Sequence, residues 1–191
     1  MQARLFSLDT ALITQRTVVR RFRENEGKQF YKLVSENRDY LADHFPGLFD
    51  LVSDLESTEA LVRTQLAEWL LQEGYAFGIW RSAEPELIGY IRIFNLDWHT
   101  PKAEVSYFLD RRFTRRGIMT EVLARVIGFA FRDLEMAKIY LHTLQDNYPS
   151  QRVARRIGFR REGDLRDSFR SSTGTLQDLL RFGLTRSEYG E

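Results

Sequence analysis

The stretch FLDRRFTRRGIMTEVLARVIGFAF, residues 108–131, decides how this chain folds. An extended apolar segment, Glu104–Leu109, runs into the arginine-rich turn Arg111–Arg116, and Gly117 then leads into a long amphipathic helix. The first N–H groups of a helix have no intrahelical partner, and they carry a partial positive charge. A basic turn between a strand and a helix N-terminus is therefore suited to bind an anion, and it predicts a phosphate-bearing ligand.

Length and composition set the class of protein. A chain of 191 residues with 43% hydrophobic and 29% charged residues is typical of one globular domain, here residues 1–191. No apolar run approaches the roughly 18 residues that a membrane span needs. The N-terminal stretch MQARLFSLDTALITQR also lacks the apolar segment of a signal peptide. We therefore expect a cytoplasmic protein without a membrane partner.

Several kinds of chemistry are disfavoured by composition. The chain has no cysteine, which excludes disulfides and a thiolate nucleophile. Three histidines scattered along the sequence, His44, His99 and His142, predict no metal site. A net charge of +1 argues against a nucleic-acid partner.

The basic residues are unusual in kind and in distribution. Only four of the 28 are lysines, so arginine dominates. The planar guanidinium fork matches phosphate oxygens better than the point charge of lysine does. The alternative interpretation is an arginine-rich composition spread over solvated helix faces. Nine arginines fall in two short blocks, which are Arg111, Arg112, Arg115 and Arg116, followed by Arg152, Arg155, Arg156, Arg160 and Arg161.

Hydrophobic periodicity and turn residues give the element order. Three strands with short turns between them predict an antiparallel meander, and a long helix then predicts one parallel crossover. The fold class is therefore α+β, with a central mixed and mostly antiparallel sheet flanked by helices. The predicted strands are 16–22, 75–81, 86–94, 103–109, 138–144, 159–169 and 175–184. The predicted helices are 24–37, 58–72 with Ser57 as its cap and Leu70 in its apolar stripe, 117–134 and 151–157.

This element order, with RRGIMTE at residues 115–121, resembles the GCN5-related N-acetyltransferase (GNAT) family. Within that family the chain is most similar to the RimJ/RimL-type branch, which acetylates the N-termini of ribosomal proteins. In the family the junction reads Gln/Arg-x-x-Gly-x-Gly/Ala, and Gly117 is the residue that fits it strictly. Two more segments carry the resemblance, KIYLHTLQDNYPSQRVARRIGFRREG at 138–163 and AEVSYFLD at 103–110. The likeness spans roughly residues 14–184.

The resemblance implies acetyl-CoA as co-substrate. Its pyrophosphate would lie on the turn and the first amides of the helix, and Asn147 would contact the pantetheine arm. The alternative for Asn147 is helix capping, a common use of asparagine. Arg152, Arg155 or Arg156 are candidates for the 3′-phosphate. The turn residues concerned are Arg111, Arg112, Arg115, Arg116, Gly117, Ile118 and Met119.

Acetyl transfer also needs a base and a proton donor. Glu104 is the predicted base, directly or through a water, although it could instead be an exposed strand residue. The resemblance makes Ser150 the donor to the departing thiolate; Tyr107 and Tyr148 are alternative donors, and Ser150 is also a natural helix cap. Because the chain has no cysteine, we expect direct attack by the amine within a ternary complex.

The acceptor is the least determined feature. An α-amine, with a pKa near 8, is much easier to deprotonate than a lysine amine near 10.4. Because the sequence offers only one candidate base, we expect the acceptor to be the N-terminal α-amine of a protein or peptide. A polyamine, amino acid or aminoglycoside remains an alternative, as does a non-catalytic acyl-CoA sensor. Segments Asp39–Leu55 and Arg166–Gly174 are the predicted walls of the acceptor site, and either a monomer or a homodimer is compatible with the sequence.

Overall fold

A computed structural model describes residues 11–190, so the two ends of the predicted 1–191 domain lie outside the described residues. Within this range the chain forms eight strands, seven α-helices and one 3₁₀ turn. The strands are β1 (Ala11–Ile13), β2 (Thr17–Arg20), β3 (Tyr75–Arg81), β4 (Leu87–Asp97), β5 (Lys102–Leu109), β6 (Lys138–Leu144), β7 (Arg160–Arg170) and β8 (Leu176–Thr185). The helices are α1 (Gly27–Glu36), α2 (Arg38–Leu41), α3 (Leu48–Leu51), α4 (Leu55–Leu71), α5 (Ile118–Arg132), α6 (Tyr148–Ile157) and α7 (Arg186–Tyr189).

All eight strands belong to one sheet, in the order β1-β2-β3-β4-β5-β6-β8-β7. Every neighbouring pair is antiparallel except β5 and β6, which are parallel and connected through α5. The predicted mixed α+β sheet, its meander β3-β4-β5 and its single parallel crossover are therefore confirmed. Strand β1 was not predicted, because three residues are too short to show an alternating pattern.

Two hydrophobic clusters sandwich the sheet. On one face α5 packs against alternate residues of the central strands, such as Ile91, Ile93 and Val105. On the other face α1 packs against the residues between them, such as Tyr90 and Phe108. Since side chains of a strand alternate between faces, the parity of a residue on β5 tells which cluster it joins.

Helix α4 begins earlier than the sequence predicts. Asp54, not Ser57, is its N-cap: the carboxylate accepts from the Ser57 N–H at 2.8 Å, and the Ser57 hydroxyl accepts from the Asp54 N–H at 3.1 Å. The first turn carries no apolar periodicity, so the pattern placed the start one turn too late. Leu70, assigned to the apolar stripe, is 70% exposed. No helix within residues 11–190 has the length and apolar character to cross a bilayer.

Candidate active site

The sheet opens between its two parallel strands. The ladder joins Lys102 to Lys138, Ala103 to Ile139 and Glu104 to Tyr140. Beyond that point β5 continues on β4, and β6 continues on β8. The facing edges of β5 and β6 therefore diverge, and their main-chain N–H and C=O groups become available to a ligand. We call this opening the split.

The arginine-rich turn follows β5 directly and ends at the start of α5. Arg115 and Gly117 both have positive φ, 62° and 78°, and the second of these is a position where glycine avoids strain. Among the described residues no side chain caps α5, whereas Asp54 caps α4 and Asn147 caps α6. No side chain of the described residues therefore occupies the first N–H groups of α5, where an anion could bind.

The turn is held in place by an arginine that the sequence analysis missed. Arg16, in the loop between β1 and β2, donates from Nη1 to the Arg116 carbonyl at 2.7 Å and from Nη2 to Glu121 Oε1 at 2.7 Å. The side chains of Ile118 and Met119 are buried in the core, 6% and 7% exposed. Since both side chains turn inward, neither covers the amides at the helix start.

Arg112 is committed to ion pairs within the protein. Its guanidinium lies 2.7 Å from Asp110 and 2.9 Å from Glu86. Burial raises the pKa of the Asp110 carboxyl, but the hydrogen bonds and charge of Arg112 outweigh burial and hold that pKa below its usual range. This arrangement makes Arg112 a support of the turn rather than an open phosphate ligand.

The other predicted arginines face solvent. Arg111, Arg115 and Arg116 are exposed at the turn, and Arg116 lies 5.6 Å from the centre of the Phe113 ring. The arginines of α6 lie beyond Ser150 along the helix, and Arg155 is 5.7 Å from the Phe182 ring. Arg152, Arg155 and Arg156 are all exposed.

Glu104 sits in a chain of polar side chains that we call the base side. Its Oε1 lies 2.8 Å from Nδ1 of His142 on β6, and its Oε2 accepts from Nδ2 of Asn95 at 3.0 Å. The Glu104 and His142 side chains are only 14% and 20% exposed, so Glu104 is not an ordinary exposed strand residue. Asn95 has φ of 51° at a bulge between Phe94 and Asp97, which turns it toward Glu104.

Ser150 and Tyr107 form a second polar group, the acid side. The two hydroxyl oxygens are 3.2 Å apart, and Asn147 accepts from the Ser150 N–H at 3.1 Å as the cap of α6. Burial raises the pKa of Tyr107 to about 12, and the hydrogen bond with Ser150 offsets only part of this effect. The phenol is thus protonated at neutral pH. Tyr148, the other candidate, is 61% exposed.

The two sides lie on opposite faces of the split. Glu104 and Tyr107 are three residues apart on β5, so their side chains point to opposite faces of the sheet. Tyr107 packs against the cluster beneath α5, while Phe108, on the face of Glu104, packs beneath α1. A ligand that passes through the split would meet one group on each face.

The two predicted acceptor segments lie over the face of the sheet that carries Glu104. Phe45, in the loop between α2 and α3, lies 5.6 Å from the ring of Phe108. The tip of the β7–β8 hairpin meets the same loop, where Ser172 donates to Asp43 at 3.5 Å. These two segments, far apart in sequence, form one cover.

Comparison with known proteins shows the family to which the chain belongs. Residues 16–160 match the family model described as the acetyltransferase (GNAT) domain. The chain belongs to the GNAT family. It is therefore an N-acetyltransferase with the acyl-CoA N-acyltransferase fold, and the resemblance to this family is confirmed.

Relatives carry names of the RimJ/RimL type. The chain is 26% identical to the putative ribosomal N-acetyltransferase YdaF of Bacillus subtilis (strain 168) over 94% of this chain and 97% of that protein. It is 30% identical to the ribosomal-protein-serine acetyltransferase of Escherichia coli (strain K12), over 76% and 79%. Among solved structures, RimL, a ribosomal L7/L12 alpha-N-protein acetyltransferase in complex with coenzyme A, superposes with a TM-score of 0.84 at 20% identity, covering 92% and 97% of the chains.

Proposed function

We propose that this protein transfers the acetyl group of acetyl-CoA to the N-terminal α-amine of a protein or peptide, by direct attack in a ternary complex. The observation that carries the proposal is the pair of polar groups on opposite faces of one split. A proton acceptor on one face and a proton donor on the other are what this reaction needs.

The split and the turn fit acetyl-CoA. The uncapped N-terminus of α5, with Gly117 and the exposed Arg111, Arg115 and Arg116 beside it, suits the pyrophosphate. The diverging strand edges suit the amide-containing pantetheine arm, because they offer backbone donors and acceptors. Asn147 lies at the α6 end of the split, and Arg152, Arg155 or Arg156 remain the candidates for the 3′-phosphate.

The acid side supports departure of the thiolate. In this proposal Ser150 donates its hydroxyl proton to sulfur, and Tyr107, whose oxygen lies 3.2 Å from that of Ser150, restores it. The base side, centred on Glu104, is where the amine proton would go. A single proton acceptor is best matched to an amine that loses its proton easily. The lower pKa of an α-amine therefore favours it over a lysine side chain.

The names of the relatives described above agree with a protein acceptor. Both sequence relatives described above are named for ribosomal proteins, and the RimL structure is named for α-N-protein acetylation. The cover formed where Ser172 meets Asp43 would have to leave room for the first residue of such an acceptor.

Thiol release from acetyl-CoA tests the function. The acceptors are peptides that differ in their first residue, the same peptides with a blocked N-terminus, polyamines and aminoglycosides. We expect release with free N-termini and none with the blocked peptides, which are the matched control. Release with a polyamine or an aminoglycoside alone would replace the proposed acceptor by a small amine.

A further inference from the structure

The base side contains a histidine to which the sequence analysis gave no role. His142 stands two residues beyond Tyr140 on β6, on the same face of the strand, so it borders the point where β5 and β6 diverge. Its Nδ1 and the Glu104 carboxylate are 2.8 Å apart, and Asn95 holds the other carboxylate oxygen at 3.0 Å. Three adjacent strands thus supply one connected chain, Asn95 to Glu104 to His142.

The hydrogen bonds fix which nitrogen of His142 carries the proton. A carboxylate only accepts hydrogen bonds, so in the neutral imidazole Nδ1 is the donor and Nε2 is left as an acceptor. Nε2 is buried and has no hydrogen-bond partner within residues 11–190. A buried polar atom without a partner is costly, so this nitrogen is expected to meet a polar atom from outside the chain.

None of the described neighbours of His142 forms a hydrogen bond with its buried Nε2. The Tyr140 ring lies 5.5 Å away, and Arg181 of β8 lies 4.2 Å above that ring. Glu162 of β7 is 3.5 Å from Arg181, which balances its charge. The titratable and charged groups facing the imidazole are therefore Glu104, Tyr140 and the Arg181–Glu162 pair.

We propose that His142 Nε2 accepts the proton of the attacking amine, directly or through one water, while Glu104 and Asn95 are positioning residues. This proposal rests on the proposed function. As the amine nitrogen bonds to the thioester carbon, its proton passes to Nε2, and Glu104 stabilises the imidazolium. The C–S bond then breaks, sulfur takes a proton from Ser150, and Tyr107 reprotonates Ser150. Exchange with water then returns a proton to Tyr107 and removes one from His142.

General chemistry favours an imidazole in this position. Imidazole as a group has an ordinary pKa of about 6.5, against about 4.3 for a glutamate carboxyl, and a base works best when its pKa is near the working pH. Both oxygens of Glu104 already accept hydrogen bonds inside the protein, whereas Nε2 accepts none from the described residues. A carboxylate that orients an imidazole and supports its charge is the arrangement of hydrolase triads.

The first test compares His142→Asn with Glu104→Gln. Asparagine keeps a donor where Nδ1 was and removes Nε2, so we expect kcat about 100-fold lower with little change in the KM for acetyl-CoA. At low pH, kcat/KM for the peptide should depend on two ionisations in the wild type, that of the amine and that of the imidazole. It should depend on one in His142→Asn. Glu104→Gln should also be slow, but it should keep both ionisations.

The outcomes separate the two proposals. If Glu104→Gln loses an ionisation while His142→Asn keeps both, the carboxylate is the base and His142 only supports it. If the wild type releases no thiol with any acceptor, the proposed function fails and the proton-transfer proposal with it. An undiminished kcat in His142→Asn would overturn only the role of His142.

A second measurement does not depend on turnover. Long-range nitrogen–proton NMR correlations show which ring nitrogen of a histidine carries hydrogen, and the His142→Asn spectrum identifies the signals of His142. We expect the Nδ1–H form in the wild type. The Nε2–H form would overturn the proposal, because that nitrogen could not then accept a proton.

Discussion

The base side and the acid side of the split are built by different means. Asn95, Glu104 and His142 come from three neighbouring strands, so the register of the sheet sets their separations. Tyr107 and Ser150 join a strand to the first turn of a helix, and the cap at Asn147 sets the position of Ser150. Each side therefore depends on a different kind of secondary-structure contact.

One strand nevertheless contributes to both sides. Strand β5 carries Glu104 and Tyr107 at positions of opposite parity, and it diverges from β6 just after Glu104. A continuous ladder would keep the two faces apart. In the proposed mechanism the split lets groups on both faces act on the same ligand. Loss of ligand binding at the split should therefore lower activity more than the loss of any single side chain.

The largest loss of activity is expected from a variant that prevents acetyl-CoA binding, because neither the base side nor the acid side then has a ligand to act on. Gly117→Glu places a negative charge at the start of α5, and we expect acetyl-CoA affinity to fall at least about 100-fold through repulsion of the pyrophosphate. A Cβ at this position would be 3.5 Å from Arg16, an ordinary contact, so the variant should fold. Calorimetric titration with acetyl-CoA measures the effect.

Gly117→Ala is the matched control for charge. It adds the same Cβ in the left-handed region, at a cost of about 1 kcal/mol in stability, but no negative charge. We expect it to keep most of its acetyl-CoA affinity. Equal binding by the wild type and Gly117→Glu would refute the assignment of the turn to the pyrophosphate.

Smaller losses are expected on the acid side. A thiol has a pKa of about 8.5, so thiolate is a tolerable leaving group at neutral pH, and Ser150→Ala or Tyr107→Phe should each lower kcat about tenfold. If the two hydroxyls act as one relay, the double variant should be only slightly slower than either. Steady-state kinetics at saturating acetyl-CoA measures this. A larger loss in Tyr148→Phe would instead make that exposed phenol the donor.

Two arginines of the turn should show opposite effects. Arg115→Met removes an exposed charge near the pyrophosphate, and we expect acetyl-CoA affinity to fall about threefold to fivefold with no change in stability. Arg112→Met leaves the buried Asp110 without its main partner, so we expect a loss of about 1–3 kcal/mol in the free energy of unfolding and little change in affinity. Urea unfolding and calorimetry on both variants decide this. A loss of affinity confined to Arg112→Met would reverse the two roles.

Local sequence was enough to predict most of the fold. The strand–turn–helix at 104–134 and the helix that ends at Gly158 carry strong local patterns, and both are present. The shift in the start of α4 has a local cause as well, because Asp54 and Ser57 were both suitable caps. Residue preferences near a helix end often leave two starts with similar energies.

The base side could be predicted only in part. Glu104 is a candidate that the sequence offers, but His142 lies 38 residues away, and the register of a parallel pair joined by a helix leaves no local signal. The turn of Asn95 depends on an extra residue in β4, which alternation of apolar and polar residues does not reveal. Arg16 is 100 residues from the carbonyl that it holds, and nothing near it in sequence indicates that contact.

The smallest expected effect is on the free energy of unfolding at high pH, which should respond to a variant of the acid side and not to one of the base side. Burial raises the pKa of Tyr107 and of Tyr75 to about 12, and it raises that of Tyr90 as well. An unfolded phenol has a pKa near 10, so above that pH the unfolded chain loses protons that the folded chain keeps. Stabilisation is therefore complete below pH 10 and is lost as pH rises toward 12.

Urea unfolding at pH 8 and pH 11 measures this loss for each variant. One pKa unit corresponds to about 1.4 kcal/mol, so Tyr107→Phe should lose about 1.4 kcal/mol less than the wild type between the two pH values. Glu104→Gln, on the base side, should lose as much as the wild type, because no phenol changes. If Tyr107→Phe shows the wild-type pH dependence, burial does not raise the pKa of the Tyr107 phenol and the acid side is open to solvent.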